Sequence, residues 1–250
     1  MTHRPRHGSS RQRPSLLGRY PAPALHLVGT PRPPDPASAL NWAPGPPPPQ
    51  HGLDYAFARW AGQHAVRWRP GTDVTVRLAA GGPAGWDDPL AGLLAELAAL
   101  TGLGLRLGEP AEPAAALADV PAGEIRVQHD RFGGGTGWPA PCAEHAGLGG
   151  AEPGADRRFY VRGIAVVNSA VTGAAPAPMA LAVLRHQLGH ALGLGHPVRT
   201  DQLMHGSFGG MRTGYADGDR LGLILLGRPA GPPDPLPHGR TPGGTPRCAT

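Results

Sequence analysis

Three histidines stand at a spacing that could hold a metal ion. His186 and His190 are four residues apart, and His196 follows six residues later, after Gly193. Residues four apart on a helix lie on one face, one turn apart, so two imidazoles at this spacing can reach one tetrahedral zinc ion. A helix that ends at Gly193 lets the chain turn back and bring His196 to the same ion. Three protein ligands leave a fourth position for water, which is typical of a catalytic zinc site.

The elements that must position these histidines follow from periodicity. A helix is predicted over 179–192, with Met179, Leu184, Leu188 and Leu192 on its apolar side. Alternating apolar residues predict strands over 66–68, 74–78, 103–107 and 125–127. Residues 131–156 are predicted as a long loop, and 159–167 as a hairpin or a bent strand.

Two further helices complete the predicted fold. A leucine-rich helix is expected to begin at Asp87 and Asp88, which would cap it, and to end at Gly102. A last helix is expected to begin after Asp217 or Asp219 and to close at Gly227. This order of elements predicts an α+β fold with one mixed sheet.

Composition divides the chain into a folded middle and two tails. Proline and arginine are concentrated in residues 1–50, and residues 229–250 are again rich in proline and glycine. Such segments bury too little apolar surface to order themselves. We therefore expect disorder in 1–50 and 229–250, and one folded domain over 51–228, most simply as a monomer.

Charge and hydropathy exclude several classes of function. The net charge is +5 and all the basic residues are arginine, but aromatic residues do not interleave with them, so no nucleic-acid partner is expected. No apolar stretch reaches the length of a membrane span. The stretch 16–28 is interrupted by charge and proline, so a classical signal peptide is not expected. Cys142 and Cys248 allow one disulfide or none, and the compartment cannot be assigned from them.

The histidine motif and the residues after it resemble the metzincin clan of zinc metallopeptidases. The clan signature is H-E-x-x-H-x-x-G-x-x-H followed by a methionine turn, and Met204 lies eight residues after His196. The chain is most similar to a matrixin, because Trp68, the first strands, the leucine-rich helix, Tyr215 and the last helix occur in matching order. The similarity extends over about residues 51–228 and is sharpest over 184–206.

This resemblance implies a particular fold and activity. It implies a mixed twisted sheet with two main helices in an N-terminal subdomain, and a small C-terminal subdomain with the methionine turn and the last helix. Met204 would form an apolar floor beneath a zinc ion, and residues 206–215 would wall the pocket beside the cleavage site. A peptide or protein substrate would bind in an extended conformation along the sheet edge. The resemblance also implies an extracellular location.

One residue departs from the clan signature. Gln187 stands where the family has the glutamate that takes a proton from the attacking water and passes it to the leaving amine. A carboxamide can hydrogen-bond water but cannot accept its proton, and such acid–base help is worth about 10²- to 10⁴-fold in rate. Metal binding should therefore persist while peptide hydrolysis is weakened or lost.

Several explanations of Gln187 stay open. The protein could be a natural pseudoenzyme, an engineered inactive form, or a weakly active peptidase in which Asp201 or His205 serves as a substitute base. The alternative to a metalloendopeptidase is a non-catalytic zinc-binding module that holds a peptide or a partner protein in the same cleft.

Weaker signals concern a second metal and a cysteine switch. Matrixins often hold a structural zinc in the long loop, and His129, Asp130 and His145 resemble parts of such a site, with calcium as another possibility. The expected fourth ligand is missing, because Arg158 and Phe159 stand where a His-Phe pair would be. Latent matrixins block zinc with an N-terminal cysteine, but residues 1–50 contain none, and the similar stretch 246–248 lies at the opposite end.

Overall fold

A mixed five-stranded sheet forms the centre of the computed structural model, which describes residues 50–132, 145–173, 176–207 and 212–231. The strands are β1 (Trp60–Ala61), β2 (His64–Ala65), β3 (Asp73–Leu78), β4 (Gly104–Leu107), β5 (Glu124–Asp130), β6 (Gly147–Pro153) and β7 (Tyr160–Asn168). The helices are α1 (Asp87–Thr101), α2 (Ser169–Thr172), α3 (Pro178–Leu192) and α4 (Asp217–Gly227), and a short 3-10 helix covers Leu117–Asp119.

The strand order in the sheet is β4-β3-β5-β7-β6. The first four strands are parallel, and β6 runs antiparallel to β7 at the edge, with Gly149 opposite Ala165. β1 and β2 form a separate two-stranded ladder. Parallel neighbours need a long crossover, and α1 provides it between β3 and β4. The predicted α+β class with one mixed sheet is confirmed.

The main hydrophobic core joins the sheet to the two long helices. Leu90 and Leu97 of α1, Leu184 and Leu188 of α3, and Val76 of β3 are all almost fully buried within it. Burying one such side chain contributes about 1.5–3 kcal/mol relative to exposure. A smaller cluster forms around Val120, Phe132, Ile164 and Val166. The main hydrophobic core therefore holds α3 and β6, the elements around the histidines, in place.

The C-terminal end of α1 agrees with the sequence-based prediction, and its N-terminal end differs from it. Gly102 adopts the left-handed conformation at φ 67°, as predicted for the residue that ends this helix. At the start, Trp86 is the capping residue and makes no side-chain cap, while Asp87 and Asp88 lie in the first turn. The two carboxylates therefore act through their favourable charge at the helix N-terminus rather than as caps.

The loop predicted over 131–156 is wrong for residues 147–153, which form β6. Glycine at 147, 149 and 150 and proline at 153 obscured the strand, because both residue types are depleted in strands. Residues 159–167 contribute to one continuous strand, β7, and α2 was not predicted.

Several predictions concern residues that the structure does not describe. Residues 1–49, 133–144 and 232–250, with Cys142 and Cys248, lie outside the described residues, so the expected disorder of the tails and the cysteine pairing stay predictions. From residue 50 onward, the described residues belong to one compact unit. None of the described helices has the length and apolar character needed to cross a membrane.

Candidate metal site

The histidine helix α3 ends where the sequence predicts. Gly193 takes a left-handed conformation at φ 116°, and its N–H donates to the carbonyls of Gly189 and His190 at 3.1 Å. A side chain at 193 would also crowd the Tyr160 ring and the Val66 carbonyl, each within 3.2 Å of the added atom. Glycine is therefore required for both its backbone conformation and its size.

Backbone pairing with residues 56–58 then directs the chain toward His196. The Ala58 N–H donates to the Gly193 carbonyl and the Gly195 N–H donates to the Ala56 carbonyl, both at 2.8 Å. These bonds surround an isolated antiparallel bridge between Phe57 and Leu194. The third histidine is thus positioned by a segment far away in sequence, which periodicity alone could not reveal.

The three imidazoles converge through their Nε2 atoms. The Nε2 atoms of His186 and His190 are 3.0 Å apart, those of His190 and His196 are 3.0 Å apart, and those of His186 and His196 are 3.2 Å apart. A tetrahedral zinc ion with Zn–N bonds of about 2.0–2.1 Å would need these separations to be about 3.3–3.4 Å. The rings need to move apart by only a few tenths of an ångström, so the three residues could bind one metal ion.

Backbone carbonyls fix the tautomers of two of these histidines. His186 Nδ1 lies 2.8 Å from the Leu203 carbonyl oxygen, and His190 Nδ1 lies 2.8 Å from the Leu194 carbonyl oxygen. A carbonyl only accepts, so each Nδ1 must carry the proton and donate it. The Nε2 lone pairs are thereby left facing the shared centre, as metal-ligating histidines require.

Burial keeps the same imidazoles neutral. It lowers the pKa of His186 to about 4 and holds the pKa of His190 well below its ordinary value. Burial also lowers the pKa of His196, and the neighbouring His205 adds to that shift. Neutral imidazole is the form that binds metal. His186 is buried, His190 is half-buried and His196 is exposed, so the cluster opens toward solvent on the His196 side.

Met204 and its neighbours form one wall of the site. Met204 is 1% exposed, and a side chain at Gly189 of α3 would come within 2.5 Å of its Sδ atom. The Asp219 carboxylate accepts from the N–H groups of Leu203 (2.7 Å) and Met204 (3.3 Å), and also from Ala216 (3.0 Å). Asp219 therefore fixes the same residue whose carbonyl orients His186.

Asp219 was not recognised as part of the site from the sequence. In the sequence, Asp219 is an acidic residue in the first turn of α4, and it was interpreted only as the start of that helix. Burial raises the pKa of Asp219 while the backbone hydrogen bonds lower it.

Gln187 lies against β6. It is 4% exposed, and a Cβ atom at Gly149 would come within 2.9 Å of its Oε1 atom. A Cβ atom at Gly147 would come equally close to Gln187 Cγ. Residues three apart on a helix are neighbours, which places Gln187 beside His190. Among the described residues, no group hydrogen-bonds the Gln187 carboxamide.

The two candidate substitute bases differ in their surroundings. Arg199 binds the Asp201 carboxylate with two hydrogen bonds of 3.0 and 2.5 Å, which lowers the pKa of Asp201. This makes Asp201 a poor proton acceptor. His205 lies close enough to affect the pKa of His186 and His196, while its Nδ1 atom contacts Ser207.

The weakly supported second metal site near the long loop is not formed by the described residues. There, the triad described above is the only group of three or more potential ligands that converges. His129 Nε2 instead bonds the Gly173 carbonyl at 2.8 Å, and Asp130 accepts from the Arg131 N–H. Asn168 donates to the His145 backbone carbonyl. His129, Asp130 and His145 therefore have local roles, and a structural zinc or calcium ion gains no support.

Neither the family models nor the curated proteins with which the chain was compared gave a match. The functional interpretation therefore depends on the geometry of the histidine cluster and of the two walls around it.

Proposed function

We propose that the chain is a zinc-dependent, metzincin-type metalloendopeptidase of the matrixin kind, whose peptide hydrolysis is weakened by Gln187. The observation that carries this proposal is the convergence of three Nε2 atoms within 3.2 Å of one another. The fixed tautomers of His186 and His190 support it, because they present lone pairs toward the centre without rearrangement.

His186, His190 and His196 would hold the zinc ion. When bound, zinc supplies Lewis acidity, which polarises a carbonyl group and makes water more acidic. Imidazole ligands suit zinc but also copper, iron and nickel, so the choice of zinc rests on the resemblance to metzincins. Met204 supports the proposal as an apolar residue packed against α3 beside the ligands.

The edge strand β6 provides a place for an extended peptide. Within the described part of the chain, no strand pairs with the outer edge of β6. An exposed edge presents unpaired N–H and C=O groups, to which a peptide can add as a further strand. Gly147 and Gly149 bring this strand directly beside Gln187. A peptide bound there would pass next to the metal ligands.

Gln187 limits the rate at which the site could hydrolyse such a peptide. Its carboxamide can donate to or accept from a water molecule or a substrate carbonyl, but it cannot take up a proton near neutral pH. The loss of a general base is worth about 10²- to 10⁴-fold in rate. The pairing of Asp201 with Arg199 argues against that residue as a replacement.

The second candidate function is a non-catalytic zinc-binding module that holds a peptide or partner protein. The specific observation in its favour is that a neutral Gln187 stands beside an intact ligand set.

The experiment compares the native protein with the Gln187→Glu variant. Each protein is reconstituted with zinc, its metal content is determined by elemental analysis, and cleavage of a broad-specificity peptide library is followed by mass spectrometry. We expect one zinc per chain in both proteins and cleavage about 10²- to 10⁴-fold faster in the variant. Gln63→Glu, in the exposed turn between β1 and β2, is a control with the same change of charge.

Three results would change the conclusion. Equal cleavage by native protein and variant would show that Gln187 does not limit the reaction. Zinc binding without cleavage by either protein would favour the non-catalytic module. Much less than one zinc per chain would exclude both functions.

A further inference from the structure

We propose that Gln187 makes the metal site a receptor for carboxylates, which bind the ion's remaining position while the carboxamide donates a hydrogen bond to them. This inference deepens the function proposed above and rests on it, since it needs the metal to bind. The ligand class comprises small carboxylates and the free carboxylate at a peptide C-terminus.

The three histidines would contribute no charge to a bound metal ion. Imidazole binds metal in its neutral form, and the Nδ1 atoms of His186 and His190 already donate to backbone carbonyls, which leaves their Nε2 lone pairs for the ion. A divalent ion held by them keeps its full double charge, and the residue after His186 contributes none. A glutamate at position 187 would place a negative charge beside the ion and repel an anionic ligand. With glutamine in its place, this source of repulsion is absent.

The charged side chains near the histidine cluster are already engaged in other interactions. Asp219 accepts from three backbone N–H groups behind Met204, and Asp201 is paired with Arg199. His205, next to Met204 in the chain, carries no carboxylate, and its Nδ1 atom contacts Ser207. Among the described residues, therefore, we find no carboxylate free to compensate the charge of a bound ion.

The Gln187 carboxamide supplies hydrogen-bond donors that no described protein group uses. Gln187 is 4% exposed, yet no described residue hydrogen-bonds it. Neither of its polar atoms is among the fully enclosed atoms that lack a partner, so the carboxamide keeps some contact with solvent. A buried polar group without a protein partner costs free energy unless a ligand or water satisfies it. Its N–H₂ group offers two donors, which suit an anionic oxygen better than a neutral one.

Packing restricts where these donors can point. β6 approaches so closely that a Cβ atom at Gly149 would lie 2.9 Å from Gln187 Oε1. α3 encloses the other side, and His190 lies one turn along the same helix. The donors would therefore point away from β6, on the side of α3 that carries His190.

The test measures carboxylate binding rather than catalysis. Native protein, Gln187→Met and Gln187→Glu are loaded with cobalt(II), and visible absorption is followed during titration with acetate. Methionine keeps length and neutrality but removes the donor, whereas glutamate keeps the shape and adds charge. We expect affinity to fall about tenfold in Gln187→Met and about a hundredfold in Gln187→Glu. Gln63→Glu should bind acetate as the native protein does.

A second titration identifies the source of the carboxylate. An N-acetylated dipeptide with a free C-terminus is compared with the same dipeptide carrying a C-terminal amide. Tighter binding of the free acid, lost in Gln187→Glu, supports a peptide C-terminus as ligand. Binding of acetate but not of the peptide acid supports a small free carboxylate instead.

Two outcomes would overturn the inference in distinguishable ways. If all three proteins take up cobalt and bind acetate equally, Gln187 does not select anions, while the proposed metal function is unaffected. If the native protein takes up no metal, both the proposed function and this inference fail. Metal content is measured for each variant, so that a folding defect is detected separately by its loss.

Discussion

The two sides of the candidate metal site are held in place in different ways. On the Met204 side, directional hydrogen bonds fix the chain, since Asp219 holds Leu203 and Leu203 orients His186. On the β6 side, close backbone packing brings Gly149 against Gln187, and no described residue hydrogen-bonds that side chain. The difference shows that the histidines are positioned by directional hydrogen bonds, whereas the Gln187 side chain is positioned by close packing alone.

The largest expected effect is a loss of zinc affinity when His196, the candidate ligand outside α3, is removed. His196→Ala should lower zinc affinity by at least about a thousandfold, because two histidines leave the ion incompletely coordinated. Affinity is measured by competition with a chromogenic chelator. His64→Ala, which removes an exposed histidine outside the cluster, should have no effect. Similar losses in both variants would contradict the assignment of the ligands.

A smaller effect, on the free energy of unfolding, is expected when the hydrogen bonds that Asp219 accepts are disrupted. Asp219→Asn keeps the shape but removes the negative charge and one acceptor from three backbone N–H groups. We expect a loss of about 1–3 kcal/mol in the free energy of unfolding, because buried donors lose their partner. Urea denaturation measures it.

The same helix turn offers a matched control for Asp219→Asn. Asp217 is exposed, so Asp217→Asn should change stability by less than about 0.5 kcal/mol. If zinc affinity is unchanged in Asp219→Asn, the carboxylate stabilises the fold without positioning His186.

The close packing of β6 against Gln187 can be tested at two neighbouring glycines. An added methyl group at Gly149 would press on Gln187, whereas at Gly150 it would meet no atom within 4 Å. Gly149→Ala should therefore destabilise the protein by about 1–3 kcal/mol, as overpacking does, while Gly150→Ala should be close to neutral. Thermal unfolding of both variants measures the difference. Equal stabilities would mean that β6 is not packed tightly on α3.

Acid should lower the free energy of unfolding of the metal-free protein, because His186 takes up a proton more readily in the unfolded chain. The pKa of His186 is lowered from 6.5 to about 4 by burial, so the unfolded chain binds more protons between those values. Stability is therefore complete above pH 6.5 and is lost as pH falls toward 4, by up to about 1.4 kcal/mol per pH unit for this group. Urea denaturation at pH 7.5 and 5.0 measures the slope, which should be smaller in His186→Gln. An unchanged slope would show that His186 is not the group responsible.

The sequence predicted the ligand helix well because its signals are local. The histidine spacing, the apolar side of α3 and Gly193 all lie within one short stretch. The long helix α1 and the strand β3 were likewise predicted from strong periodicity. Periodicity and a left-handed glycine depend on neighbours along the chain, so they can be interpreted before any tertiary contact is known.

The rest of the site depends on contacts between distant residues. Strand β6 was missed because glycines replace the alternating apolar pattern, and their reason is the approach of α3. Asp219 was missed as a positioning residue because its partners lie 15 and 16 residues earlier. The backbone support of His196 by residues 56–58 could not be inferred from either segment alone.

That support by residues 56–58 has a consequence for any truncated or processed form of the protein. The segment pairs with residues 193–195 through main-chain bonds on both sides of Phe57. A product cut after residue 58 would keep β3, α1 and the first two ligands, yet its third ligand would have lost the main-chain bonds that position it. Any shortening of the chain from its N-terminal side would therefore keep the backbone support of His196 only if it stopped before this short stretch.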